Sequence, residues 1–349
     1  MSAARPAFSI CIPAYNRARH LPALLDSVFA QNYRDFEVVI CEDCSPERQQ
    51  IAEITAIYLR RYPEMIRYCE NHVNLGFDGN IRNLVAKARG KFCFFMGNDD
   101  LMCPAALSNT AAIIERYGDI GMVLKSYAWF DSSPEQISQE IRYFNEERCF
   151  ANGIEAITVC FRRSGVISGY VIHRDTAHAA STEKFDGTLY YQLHLTASVL
   201  AEKSAASTPE LLVLCRNSKA PDFGNNPKEA INFIPGRFTP GARIAMVRGA
   251  LSIIRHHDRT SGLPLAEAVR RDYANYFYPY IKDQLSLRPS EFFRLYLHFA
   301  RMGFYRYPLF HLNCLAAYLL GAERSDAATR VIRGYLGRSP QFGIRHSGI

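Results

Sequence analysis

Phe92-Cys93-Phe94-Phe95-Met96-Gly97-Asn98-Asp99-Asp100 is the stretch on which the reading of this chain turns. Five bulky or apolar residues in succession, three of them aromatic, have the composition of a buried β-strand. The run then ends in two adjacent carboxylates. Carboxylates beside a buried strand are costly unless something positive neutralises them. A divalent metal carrying a diphosphate would do so, because magnesium and manganese take hard oxygen ligands, commonly one or two carboxylates with substrate phosphates completing the shell. On this stretch alone a plainer reading stands beside it, in which Asp99 or Asp100 caps a helix starting near Pro104.

Upstream of this run the chain alternates strand-like and helix-like segments: strands over 8–12, 36–41 and 66–69, helices over 21–31, 47–61 and 79–89. Such alternation predicts βαβ units and an α/β fold with a mainly parallel sheet. In open α/β sheets the ligand sits at the carboxyl ends of the strands. The residues to read are therefore Tyr15 and Asn16, then Asp43, then residues 71–76, then residues 97–100. Residues 121–217 are less regular, with strands expected over 166–173 and 211–215, and complete the same domain. From about residue 239 the periodicity becomes helical, with helices expected over 240–256, 264–285, 289–302, 307–320 and 326–335.

Composition narrows the classes. The chain has 349 residues, 48% hydrophobic and 21% charged, as in a soluble globular protein. Its ten cysteines are scattered rather than spaced as a disulfide framework, which points to a reducing cytoplasm. Cys41 and Cys44 have CxxC spacing, but no second pair or histidine doublet completes a zinc site. No apolar leader segment opens the sequence, so no export signal is expected. Residues 309–320 are too short to span a bilayer and include His311 and Asn313, so no transmembrane anchor is expected either.

Taken in order, Pro13-Ala14-Tyr15-Asn16-Arg17, Glu42-Asp43-Cys44-Ser45, Asn74-Leu75-Gly76 with Arg82 and Asn83, and Asp99-Asp100 resemble the family 2 glycosyltransferases, whose fold is called GT-A. The resemblance covers residues 7–125 well and 126–217 weakly. It implies a nucleotide-sugar-binding catalytic domain over 1–225 and a helical extension over 226–349. It also implies that Pro13, Ala14, Tyr15 and Asn16 contact the nucleotide base and ribose, that Asp43 accepts a hydrogen bond from the base, and that Arg82 lies near the diphosphate. Asp99 would approach the ribose or sugar, and Asp100 would bind Mn2+ or Mg2+. Asn98 departs from the usual Asp-x-Asp. Read without the resemblance, Tyr15 is packing, Asp43 a turn former and Arg82 a surface residue of a helix.

Direct displacement needs a base for the acceptor hydroxyl. Family members place it in the second half of the domain, often in a Glu-Asp pair that is missing here. Glu183-Lys184-Phe185-Asp186-Gly187 resembles the stretch before that base, which nominates Asp186 ahead of Asp175 and Glu183. His194, on the helix that follows, reads as a packing residue.

Residues 226–349 hold 18 Lys and Arg against 8 Asp and Glu. Phe292, Phe293, Arg294, Tyr296, Phe299, Arg301, Phe304, Tyr305 and Arg306 could make an amphipathic surface for anionic lipids. They could equally pack on the catalytic domain. No nucleic-acid-binding motif accompanies the basic residues. The expected protein is thus a cytoplasmic, inverting, metal-dependent glycosyltransferase, with the inner face of the cytoplasmic membrane as a peripheral location. Its partners would be a nucleotide-diphosphate-sugar and a saccharide or polyprenyl-linked acceptor. Within the family it looks most like bacterial transferases of O-antigen or capsule synthesis, including the abequosyltransferase-like group. The competing classes are a sugar nucleotidyltransferase, whose glycine-rich loop is absent from 13–17, and a nucleotide-sugar-binding protein without activity.

Overall fold

The computed structural model describes residues 5–217, 223–336 and 341–342. Strands β1 (Phe8–Ala14), β2 (Phe36–Glu42), β3 (Ile66–Glu70) and β4 (Phe92–Phe95) alternate with helices α1 (Leu21–Phe29), α2 (Arg48–Arg61) and α3 (Gly76–Lys87). Every residue of β2 and β4 is buried, as expected of strands covered on both faces. Helix α1 starts with Pro22 in its first turn and buries Leu21, Leu24, Leu25, Val28 and Phe29. That spacing makes one apolar stripe to lay on the sheet. β1 runs parallel to β2, from Phe8 opposite Phe36 to Ala14 opposite Glu42, and parallel to β4, from Phe8 opposite Phe92 to Cys11 opposite Phe95. The three strands therefore deliver their polar ends to one edge. The turn into β4 passes so close to β1 that a Cβ on Gly90 would lie 2.4 Å from the Ser9 nitrogen, which only glycine avoids.

The chain continues through β5 (Leu101–Met102), α4 (Ala106–Tyr117), β6 (Ile120–Phe130), β7 (Ile137–Arg142), β8 (Arg148–Phe150), α5 (Ile154–Cys160), β9 (Tyr170–His173), α6 (Arg174–Ala179), α7 (Tyr191–Glu202) and β10 (Ser204–Arg216). β9 lies between β4 and β6 and is antiparallel to both. β7 is antiparallel to β6, while β10 is parallel to β6 and antiparallel to β5 and β8. The short strand β11 (Gln341–Phe342) extends the far edge against β7. The expectation of a mainly parallel sheet is thus corrected to a mixed sheet. A parallel neighbour needs a crossover of a dozen or so residues, and residues 131–136 between β6 and β7 are too few for one.

The C-terminal part comprises α8 (Pro227–Ala230), α9 (Pro240–Ser261), α10 (Leu265–Asn275), α11 (Pro289–Arg301) and α12 (Pro308–Leu336). Thr239 caps α9 by accepting from Ala242 N at 3.1 Å, with Pro240 in the first turn. The expected helix over 264–285 ends at Asn275 and gives way to short 3-10 turns. The two helices expected over 307–320 and 326–335 are the two arms of α12, which breaks at Gly321, φ 73°. Phe277 packs edge-on against Phe299, Phe304 and Phe310, with ring centroids 4.8–4.9 Å away, a favoured arrangement for aromatic pairs. Phe292, Phe299 and Phe304, read from sequence as part of an amphipathic surface, are therefore core.

These helices are tied to the turn between α5 and β9 by a buried ion cluster. Arg162 Nε donates to Asp272 of α10 at 2.7 Å and Arg163 Nη1 at 3.3 Å, with side-chain exposures of 6%, 7% and 13% for Arg162, Arg163 and Asp272. Both guanidinium groups also lie over the Tyr276 ring. One carboxylate thus serves two buried cations. Asp272→Ala strands both, and should lower unfolding free energy by about 3 kcal/mol in equilibrium urea denaturation. A loss below about 1 kcal/mol would show a solvated contact instead.

Candidate functional site

At the edge where β1, β2 and β4 end, a cleft of about 430 Å3 opens between those strand ends and the ends of β6 and β10. Its β1 wall leaves the strand through Asn16 and Arg17, both left-handed, at φ 53° and 60°. Non-glycine residues hold that conformation only where their surroundings enforce it. Here Asn98 Nδ2 donates to the Asn16 carbonyl at 2.7 Å. An ionised aspartate could not make that bond, which accounts for asparagine at the first position of the Asn-Asp-Asp run.

The end of β2 is organised by two carboxylates. Glu42, fully buried, accepts from Cys44 N at 2.9 Å, Ser45 N at 2.7 Å and Arg48 Nε at 2.9 Å. Asp43 accepts from Asn71 Nδ2 at 2.8 Å, Leu75 N at 2.8 Å and Gly76 N at 3.0 Å. Burial raises the Asp43 pKa, opposed by the Leu75 N–H and the other donors. Its carboxylate therefore holds the start of α3 as well as lining the cleft. Glu229, from α8, takes Phe77 N at 2.6 Å and Gly224 N at 2.8 Å. Two carboxylates thus satisfy free N–H groups at the positive end of one helix. Gly76 is required there, since its φ is 76° and a Cβ would sit 2.8 Å from Glu229 Oε1.

The end of β4 lies in the middle of the cleft. Asp99 Oδ2 accepts from Arg17 Nη1 at 2.6 Å. Asp100 accepts from the Ser168 hydroxyl and from Arg216 N at 2.6 Å, and Ser168 Oγ in turn accepts from Gly97 N at 2.7 Å. Burial, then repulsion from Asp99, pushes Asp100 up to about 7. Two adjacent hard-oxygen donors face the cleft, and one is ionised only at a cost that a cation would relieve. They fit a divalent metal. Among the described residues no three His, Cys, Asp or Glu side chains converge on one point, so substrate oxygens would have to complete the shell.

Of the residues expected at the site, the structure places Pro13, Tyr15, Asp43, Asp99 and Asp100 on the cleft. Ala14 and Asn16 contribute backbone instead: the Ala14 carbonyl accepts from Asp43 N at 2.9 Å. Arg82 and Asp186 meet one another away from the cleft lining. The Arg82 guanidinium grips both Asp186 oxygens, and Lys228 Nζ adds a third bond at 2.8 Å, leaving the Asp186 side chain 4% exposed. Asp175 is a surface partner of Arg5, which holds its pKa down to about 2, and Glu183 is an exposed neighbour of Arg82. His194 is packed and satisfied between the Ala180 carbonyl at 2.8 Å and His257 Nε2 at 3.0 Å. All ten cysteines, Cys41 and Cys44 included, are free thiols.

The sequence reading missed Arg17, Trp129, Arg216, Phe223, Glu229 and Phe238, which also line the cleft. Arg216 closes a strand expected over 211–215, so the strand-end rule extended to that strand would have found it. Phe223 and Phe238 come from connecting segments and Glu229 from the short helix α8, none with such a signal, and two of them lie beyond the expected boundary at 225.

Residues 9–169 match the model of the family described as Glycosyl transferase family 2. Abequosyltransferase RfbV of Salmonella typhimurium is 31% identical over 112 residues, which are 32% of this chain and 34% of that protein. The matched stretch is thus about a third of the relative's length. Among solved structures, S. aureus TarS 1-349 in complex with UDP superposes with a TM-score of 0.53 at 16% identity, covering 97% of this chain and 94% of that one. A mannosyltransferase from Pyrobaculum calidifontis in complex with GDP-Man and Mn2+ gives a TM-score of 0.51 at 14% identity, covering 97% and 83%. The fold is that of these proteins: mixed α/β with a curled sheet and a helical C-terminal region.

Behind the cleft, Asp78 of α3 fixes the start of α7, taking Leu189 N at 2.9 Å and Tyr191 N at 2.8 Å. Leu189 is left-handed at φ 62°. Burial pushes Asp78 up to about 7, with the Tyr191 and Leu189 N–H groups acting the other way. The folded state thus holds this proton more tightly than the unfolded chain. Its stabilising contribution is complete below the ordinary aspartate value and is lost as pH rises through about 7. Thermal midpoints should fall between about pH 5 and pH 8, and Asp78→Asn, which keeps an acceptor but cannot ionise, should flatten part of that slope. An identical slope in the variant would remove Asp78 as its source.

Proposed function

We propose that this chain, whose residues 9–169 form a glycosyl transferase family 2 domain, transfers a sugar from a nucleotide-diphosphate donor to a saccharide or polyprenyl-linked saccharide. The transfer is inverting and serves bacterial surface polysaccharide synthesis. The observation that carries this reading is the Asp99-Asp100 pair at the end of β4, in a cleft walled by the ends of β1 and β2. Support comes from the UDP and the GDP-Man with Mn2+ held by two proteins of the same fold.

In this reading Pro13 and Tyr15 pack against base and ribose. Asp43, with its carboxylate braced by Leu75 N and Gly76 N, accepts from the base while keeping α3 in place. Asp99 and Asp100 hold a divalent metal, Mn2+ or Mg2+, which when bound supplies positive charge for the departing diphosphate. For the acceptor proton the proposal stays with Asp186, on the resemblance alone. Arg82 and Lys228 hold both of its oxygens and would have to release one for it to reach the acceptor.

A transfer assay over a panel of nucleotide-sugars, with calorimetry of nucleoside diphosphates in Mn2+, tests these roles. Asp100→Asn, which retains an acceptor for Ser168, should weaken Mn2+-dependent nucleoside diphosphate binding by more than about tenfold. Asp186→Asn should leave that binding intact and slow turnover by about 100-fold. If turnover survives while stability drops, Asp186 is an ion-pair partner only. No transfer or donor hydrolysis with any nucleotide-sugar would favour the binding protein without activity.

A polyprenyl-linked acceptor also gives the C-terminal helices a purpose. No helix among the described residues is long and apolar enough to cross a membrane. α12 nevertheless exposes Leu312, Leu315 and Leu319 at 59%, 61% and 71%, and Phe293 and Tyr305 are each 57% exposed. Arg294, Arg301 and Arg306 are exposed nearby in sequence. We place the peripheral contact with anionic lipid on this stripe. Wild-type protein should co-sediment with vesicles of anionic phospholipid and lose binding in molar salt. Replacing the three leucines with serine should abolish sedimentation without slowing hydrolysis of a soluble donor. Equal sedimentation of the variant would move the contact elsewhere.

A further inference from the structure

Two guanidinium groups flank the carboxylate pair. Arg17, at the end of β1, donates to Asp99 Oδ2 at 2.6 Å, and its side chain is 25% exposed against 8% for Asp99. Arg216 reaches in from β10. Its Nε donates to the Asp99 carbonyl at 3.2 Å, its backbone N–H to Asp100 Oδ1 at 2.6 Å, and its guanidinium lies 4.6 Å from the centroid of the Phe130 ring. Both line the cleft. Among the described residues the Arg216 guanidinium is paired with no carboxylate. Arg82, which the sequence offered for the diphosphate, is instead committed to Asp186.

Charge balance gives this arrangement a consequence. Among the described residues, two arginines face two aspartates. A diphosphate entering the same cleft would be repelled by the carboxylates, and a cation entering it would compete with Arg17 for Asp99. Both conflicts vanish if the partners exchange. We infer that Arg17 and Arg216 are the clamp for the donor's diphosphate, and that Arg17 passes from Asp99 to the phosphates as a divalent cation takes the carboxylates. The inference rests on the nucleotide-sugar reading above and names residues for it that neither strand periodicity nor family resemblance supplied. Planar guanidinium groups suit phosphate oxygens, which they can bind through two parallel hydrogen bonds. Phe130 fixes one of them in advance, while the long Arg17 side chain is 25% exposed. The positive field reaches His20, whose pKa is lowered by burial first and then by Arg216 and Arg19.

Calorimetry with two separate probes, Mn2+ alone and inorganic diphosphate alone, tests the exchange. Arg17→Gln should weaken inorganic diphosphate binding by about tenfold or more and tighten Mn2+ binding, because Asp99 loses its internal competitor. Arg216→Gln should weaken diphosphate similarly and leave Mn2+ unchanged, since its bond to Asp100 is made by a backbone N–H that the substitution keeps. Arg17→Lys, which keeps the charge and loses the fork, should fall between wild type and Arg17→Gln, and it serves if the glutamine variant does not fold. Unchanged diphosphate affinity in both glutamine variants overturns the clamp. A fall in both affinities on losing Arg17 overturns the exchange and makes Arg17 a support for the cleft. Inorganic diphosphate carries neither sugar nor base. Opposed shifts would therefore stand even if every transfer assay failed, which separates this inference from the proposed activity.

Discussion

The burial of two adjacent carboxylates at the end of β4 is the constraint around which the rest of the cleft is arranged. Like charges that close, in a site largely shut off from water, cannot both ionise without compensation. The fold answers with groups from three other segments: Arg17 after β1, the Ser168 hydroxyl before β9, and the backbone and side chain of Arg216 at the end of β10. Lys125 of β6 lies behind, its amine bonded to the Val166 carbonyl and its pKa lowered by burial to about 8. The mixed half of the sheet is thus what closes the charge balance of the parallel half. Because β9 runs antiparallel to β4 and β6, its N-terminal end brings Ser168 to the edge where β4, β6 and β10 end.

A second set of carboxylates does mechanical work. Asp43 and Glu229 hold the first turn of α3 from opposite sides, and Asp78 within that turn holds the first turn of α7. Each puts acceptor oxygens where a helix leaves N–H groups without intrahelical partners. α3 is therefore a strut between the β2 side of the cleft and the loop that carries Asp186. Asp186 itself closes the chain of contacts, through Arg82 on α3 and Lys228 on α8. Any ligand that moves α8 would be felt at Asp186, because one lysine bridges them.

The helical region is less separate than a boundary at residue 225 suggests. Glu229 and Phe238 line the cleft, Asn226 bonds the Asn74 carbonyl, and Asp272 takes two buried arginines from the turn between α5 and β9. The aromatic residues between 292 and 306 divide by helix face. Phe292, Phe299 and Phe304 form core, whereas Phe293 and Tyr305 stay in solvent with the leucines of α12.

By itself the sequence determined the strand-helix alternation up to β4, the strand ends that bear polar residues, and five of the cleft residues expected. All but Pro13, which the family resemblance implied, follow from local signals: apolar runs of strand length, and polar residues just beyond them. It also placed most C-terminal helices, since a stripe at helical spacing with a capping Thr-Pro is visible without neighbours. Tertiary structure alone decided the mixed sheet order, because pairing direction depends on which strands meet after long separation in the chain. It alone paired Arg82 with Asp186, 104 residues apart, and Arg17 with Asp99, 82 apart. A charged residue's partner is set by distance in space, and no periodicity in the sequence encodes that distance.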